Sequence, residues 1–264
     1  MLQFLFKPKP IVLDCFTIDP FAYEYAKIAP ATENYPEWWK SIPPTYPSRK
    51  KYLNGETHYN PTIKSCRGLT SLYKESFVIP MWAHLEMEIQ QEEFRWGLNT
   101  DVDYFDRQWI TSHPPQQYNG WVDNDKYMHV KILSPWWVRT KSDTNFAFVD
   151  PVWNRSNINS YTVLPGLMDF KYQNTTNVNI MIEKRDEYHR VDIKPGDPLV
   201  QIIPLTEHKV TLKHHLVTKD EITRYAPDLR LNTHLLPKLY SYKKKMVSDH
   251  EARKKGKCPF GFDK

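Results

Sequence analysis

The chain has 264 residues, enough to bury a substantial core, and sets 21 prolines and 14 % aromatics against only 8 glycines. Proline breaks helices and aromatics suit pleated, half-buried surfaces, so this balance argues against a helical bundle and for a β-rich protein with long ordered loops. The net charge of +5 sits entirely in residues 241–264, where eight basic and three acidic residues give 8 − 3 = +5, so a uniformly basic, phosphate-tracking body is excluded.

At the N-terminus, MLQFLFKPKP has a short apolar run broken by Lys7 and Pro8, too short for a secretory core or a spanning helix. Residues 9–16, KPIVLDCF, read as a strand. Residues 20–60 are so interrupted by proline that they read as an irregular arm, with one helical turn over Glu37–Lys40 after Pro36 and with Trp38 and Trp39 as its anchors on the body. Residues 62–76 suit a short helix. Cys15, Cys66 and Cys258 are widely spaced without a CxxC pair, which disfavours both a zinc site and a disulfide framework.

Residues 77–90 alternate strictly, with Trp82, His84, Glu86 and Glu88 on a wet face and Ala83, Leu85, Met87 and Ile89 on a dry one. Asp101, Asp103 and Asp106 read as a solvated turn rather than as paired catalytic acids. Asn119-Gly120 marks a tight turn. Strands follow at 127–134, in VNIMIEK, HRVDIK, PLVQIIPL and KVTLKHHLV, separated by Arg185–Glu187 and Pro195–Asp197. Short strands at this spacing indicate a mainly β jelly-roll or β-clip-like sandwich. Thr218 and Glu221 form a capping box that starts the C-terminal helices, which run to about residue 253. The expected organisation is an N-terminal arm at 1–60, a sandwich core at 61–217 and a helical, basic segment at 218–264.

His84 and Glu86, two apart on one strand, share a face, and His129 lies on a second expected strand with Arg139 ten residues beyond it. Two histidines and a carboxylate on a jelly roll are the ligand set of non-haem Fe(II) oxygenases, with an arginine to hold 2-oxoglutarate. Arg139, Gln201 and Trp136 are the expected ligand-binding residues. His208, His214 and His215 read as surface histidines, since neighbours on a strand point to opposite faces and cannot share an ion.

The segments PGLMDFKYQ and PGDPLVQIIP resemble two signature segments of trimeric dUTPases and their β-clip relatives: Gly166, Asp169 and Tyr172 fall on the first pattern, and Gly196, Asp197 and Gln201 on the second. The resemblance implies catalytic roles, with Asp169 holding a hydrolytic water and Tyr172 stacking on a deoxyribose. Lys171 stands where that family has a second acid and Asn174 where it has glycine, and Arg155-Ser156 only faintly echoes its phosphate contact. The residues themselves suggest another role, a corner turned at Pro165-Gly166 and locked by the Asp169 carboxylate.

Over most of the chain, PEWWKSIPP, TIKSCRGLTSLYKESFVIPMW, KILSPWWVRT, LPGLMDFKYQNTTNVNI and IKPGDPLVQIIPLTE resemble an uncharacterised family of tailed-phage and bacterial proteins, with Arg67 in place of a proline and Ser76 in place of a glycine. That resemblance implies a phage-encoded accessory or binding protein acting in the host cytoplasm. A 2-oxoglutarate oxygenase and a virion structural component are the alternatives. Self-association or a phage or host protein partner is expected, with neither a strong nucleic-acid signal nor a membrane.

Overall fold

Alternating polarity dictates the first element. In β1 (Ile11–Thr17) Ile11, Leu13, Cys15 and Thr17 are buried while the residues between them are half-exposed. The computed structural model describes residues 9–90, 93–100, 108–154, 161–185, 188–225 and 237–254. After β1 comes the helix α1 (Pro20–Tyr25), capped by Asp19, whose carboxylate accepts the amides of Phe21 and Ala22 at 2.8 and 3.1 Å. β2 (Ala29–Pro30), α2 (Glu37–Ser41), β3 (Thr45–Lys51), β4 (Thr57–Pro61) and α3 (Arg67–Glu75) follow.

The remaining strands are β5 (Phe77–Pro80), β6 (Leu85–Gln90), β7 (Glu93–Leu98), β8 (Ile110–Ser112), β9 (Tyr127–Arg139), β10 (Phe146–Val149), β11 (Thr162–Val163) and β12 (Gly166–Met168). Then come β13 (Thr175–Glu183), β14 (His189–Ile193), β15 (Pro198–Pro204), β16 (Val210–Leu216), α4 (Lys219–Tyr225) and α5 (Pro237–Lys254). The fold is mainly β and sandwich-type, as composition and strand spacing indicate.

A six-stranded sheet runs β11-β13-β9-β1-β16 with β8 also on β9, and a five-stranded sheet runs β12-β10-β15-β5-β2. One continuous core joins Leu13, Ile132 and Ile180 of the first sheet to Ile79, Phe146 and Ile202 of the second. It also takes in Leu85, Met87 and Ile89 from a three-stranded sheet ordered β14-β6-β7. A smaller cluster under the N-terminal segment holds Ala31, Trp39, Leu69, Tyr73 and Val78.

Several local expectations meet their structure here. Trp39 is buried and stacks on Tyr35 and Tyr73, and Trp38 donates its indole N–H to the Trp153 carbonyl at 2.8 Å, so both tryptophans anchor the segment. The capping box forms: Thr218 N–H donates to Glu221 Oε2 at 2.7 Å and Glu221 N–H to Thr218 Oγ1 at 3.1 Å.

The strand expected at 9–16 forms as β1 and lies inside the six-stranded sheet, between β9 and β16 and parallel to β16. Others are corrected. Residues 20–60 are not simply irregular: Asn54-Gly55, with Gly55 at φ +84°, closes the hairpin of β3 and β4. The 77–90 run breaks at Met81–His84 and serves two sheets. Met81 exchanges backbone hydrogen bonds with the Gly196-Asp197 turn, and Trp82 is buried there rather than wet. Gly166 opens β12 opposite Phe148 with no left-handed backbone; of the two Pro-Gly turns, the one whose glycine takes that region is Pro195-Gly196, with Gly196 at φ +89°.

Candidate functional site

The outer face of β6 and β14 gathers charge because of register. The strands pair antiparallel with Asp192 opposite Glu86 and Arg190 opposite Glu88. Leu85, Met87, Ile89, Val191 and Ile193 point into the core, so His84, Glu86, Glu88, Arg190 and Asp192 are sent to the other side. His84 Nε2 lies 2.6 Å from Asp192 Oδ1 and 3.7 Å from Glu86 Oε1. Arg190 hydrogen-bonds Glu86 Oε1 and sits 3.7 Å from Asp192 Oδ2. At the edge, the Tyr188 hydroxyl donates to Glu88 Oε1 at 2.6 Å, which raises the phenol pKa above its ordinary value.

One imidazole nitrogen and two carboxylate oxygens, from His84, Glu86 and Asp192, lie within 4.8 Å of one another. Two ligands at about 2.1 Å from one ion can be at most about 4.2 Å apart, so a side-chain adjustment closes the trio on a cation. About 40 % of each side chain is open to water, leaving coordination positions free. Arg190 now occupies the carboxylates and would have to turn away. An imidazole with carboxylates suits a borderline or hard divalent cation such as Zn²⁺ or Mn²⁺.

His129 is not part of this set, which corrects the expected His84, Glu86, His129 triad. It lies on β9 in the six-stranded sheet, with Nε2 3.2 Å from Asn179 Oδ1 and its ring stacked on His113 at 4.3 Å. Burial first, and His113 beside it, hold its pKa below the ordinary imidazole range. With one histidine instead of two at the cluster, the ligand set of a 2-oxoglutarate oxygenase does not assemble among the described residues. Sequence reading missed Asp192: its alternation in HRVDI was visible, but nothing in one sequence shows that residue 192 pairs with residue 86.

The expected ligand-binding residues are scattered. Trp136 is fully buried and donates its indole N–H to the Ala26 carbonyl at 3.0 Å. Gln201 is buried and donates to Ser76 Oγ at 2.7 Å, behind the end of α3. Arg139 stands opposite Asp14, its guanidinium carbon 5.3 Å from the Phe16 ring centre. His214 and His215 face opposite sides, as expected for strand neighbours, but both are half-buried and bonded. His214 Nε2 is 2.8 Å from the Ile28 carbonyl, and His215 Nε2 is 2.9 Å from Asp14 Oδ1.

The Asp169 corner is locked from several directions. Asp169 Oδ1 accepts the Lys171 amide at 3.1 Å, and its carbonyl accepts the amides of Tyr172 and Gln173 at 3.0 and 2.6 Å. Asp169 Oδ2 accepts the Tyr240 hydroxyl at 3.1 Å, and Tyr172 is buried edge-on to the Tyr240 ring. Asn174 is buried, donates to the carbonyls of Val138 and Phe170, and accepts from buried Lys243 at 2.5 Å. The carboxylate thus takes one backbone amide of the corner, that of Lys171, and the Tyr240 hydroxyl from α5, while the main-chain carbonyl of Asp169 closes the turn. Asp101, Asp103, Asp106, Arg155 and Ser156 lie outside the described residues. Among the described residues, no helix is long and apolar enough to cross a membrane. No protein-family model, curated protein or solved structure matches this chain.

Proposed function

We propose that the protein is a phage-encoded accessory or binding protein whose working surface is the outer face of β6 and β14, where His84, Glu86 and Asp192 take a divalent cation. The convergence of one imidazole and two carboxylates within 4.8 Å carries this reading. The likeness of five sequence segments to tailed-phage proteins supports the origin. A buried apolar layer of Leu85, Met87 and Ile89 backs the strand that carries His84 and Glu86, and the register places Asp192 opposite Glu86. Arg190 holds the carboxylates together before a cation arrives and competes with it afterwards, so affinity is moderate and falls when Arg190 binds more tightly.

Calorimetric titration with Zn²⁺ and Mn²⁺, beside thermal melts, tests the site. Saturable binding and a raised Tm are expected. Asp192→Ala and Glu86→Ala should abolish both effects and His129→Ala should leave them intact. An unchanged isotherm in Asp192→Ala overturns the assignment. Mass spectrometry of purified phage particles separates a cytoplasmic accessory protein from a virion component.

A further inference from the structure

β3 and β4 form a ribbon on their own, a two-stranded sheet that no third strand joins among the described residues. Every residue of the two strands is exposed except Ser48, His58 and Asn60, which are half-exposed. An isolated hairpin is marginal in water, because ordering its backbone costs conformational entropy with little burial to offset it. Its base is held instead: the Thr62 amide donates to the Pro44 carbonyl at 2.9 Å and the Thr62 hydroxyl to the Pro43 carbonyl at 2.7 Å. The fold does not need what the ribbon displays.

That display has a particular chemistry. Arg49, Lys50 and Lys51 are consecutive and exposed, and Glu56 is the one acid between residues 45 and 61. Tyr46 stands opposite Asn60 and Pro47 opposite Tyr59, so Tyr46 and Tyr59 leave the ribbon on opposite faces. Both rings are about half exposed. Exposed cations and accessible aromatic rings on one hairpin match a chain of phosphates carrying unpaired bases, because a base stacks on a ring whatever its identity while the cations hold the backbone. A duplex would keep its bases from the tyrosines, and an apolar partner would leave three cations unpaired.

We propose that the β3–β4 ribbon binds single-stranded nucleic acid that wraps it, with Arg49, Lys50 and Lys51 on phosphates and Tyr46 and Tyr59, on opposite faces, each stacked on a base. Fluorescence anisotropy of labelled oligo(dT) and oligo(U) against the full chain tests it, with poly-glutamate as an acidic polymer that has no bases. Binding should weaken with salt, and the Arg49→Glu, Lys50→Glu, Lys51→Glu triple variant should lower the slope of log K against log salt by about 2. Tyr46→Ala with Tyr59→Ala should cost about tenfold or more in oligonucleotide affinity and leave poly-glutamate unaffected. These positions are exposed, so circular dichroism should match the parent in every variant. No oligonucleotide binding at low salt overturns the proposal. So does undiminished binding by the triple variant, which would place the interaction on the basic C-terminal segment. Poly-glutamate bound as tightly as oligo(dT) overturns it too, in favour of an acidic protein partner.

Discussion

The β6–β14 pair and the β3–β4 ribbon are both antiparallel, and both present charged side chains to water. They differ in what lies behind them. The first is backed by Leu85, Met87, Ile89, Val191 and Ile193, all buried, so the backbone that carries His84, Glu86 and Asp192 is held against the core. Among the described residues, the second buries no side chain on either face. A backed acidic face suits a small ion, whose ligands need only small side-chain adjustments to converge. An unbacked basic ribbon suits a long, adaptable polymer. On the two proposals, one chain would use the same secondary structure for two kinds of recognition, separated by the apolar backing.

Removing the backing is the harshest way to break that contrast. Met87→Ala, at a position with no solvent exposure, should lose about 2–5 kcal/mol in urea unfolding and weaken the cation site without touching a ligand. Retained cation affinity in a destabilised Met87→Ala protein would show that the ligands, not their backing, set the geometry.

Acid should separate the body from the ribbon next. Burial, before any neighbouring charge, lowers the pKa of His129 and of His214 in the six-stranded sheet. The unfolded chain therefore binds protons at these histidines more readily than the folded one. Stability should be full above the ordinary histidine pKa of about 6.5 and fall as pH drops below it. Urea titrations across this range measure the slope, and His129→Gln should flatten it.

The smallest effect is expected on the ribbon itself. Tyr59→Ser should change stability by no more than about 0.5 kcal/mol, because its ring is exposed and packs on no core. A loss several times larger would mean the ribbon is backed by something, and the contrast would fail.

Much of the fold was legible because strand alternation is a local signal. Leu85, Met87 and Ile89 against Glu86 and Glu88 gave both the strand and its dry face, and Thr218 with Glu221 gave a helix start in four letters. Long-range register was not legible. The pairing of Asp192 with Glu86 depends on which strands become neighbours, so two of the three candidate ligands were readable and the third was not. The Met81–His84 break was hidden for the same reason, since its cause is a turn at Gly196, more than a hundred residues away. The β3–β4 hairpin was masked by Pro47 and the prolines around it, although Asn54-Gly55 carried the signal.

The parallel pairing of β1 with β16 has a consequence in time. Ile11 lies beside Val210 and Thr17 beside Leu216, so one edge of an early strand stays open until nearly two hundred further residues have left the ribosome. Contacts of such sequence separation close slowly. Through that interval Leu13 and Cys15, apolar and destined for the core, are presented on an unpaired strand edge that could template association with another nascent chain. The body should therefore depend on chaperones, or on slow synthesis, more than its final stability would suggest.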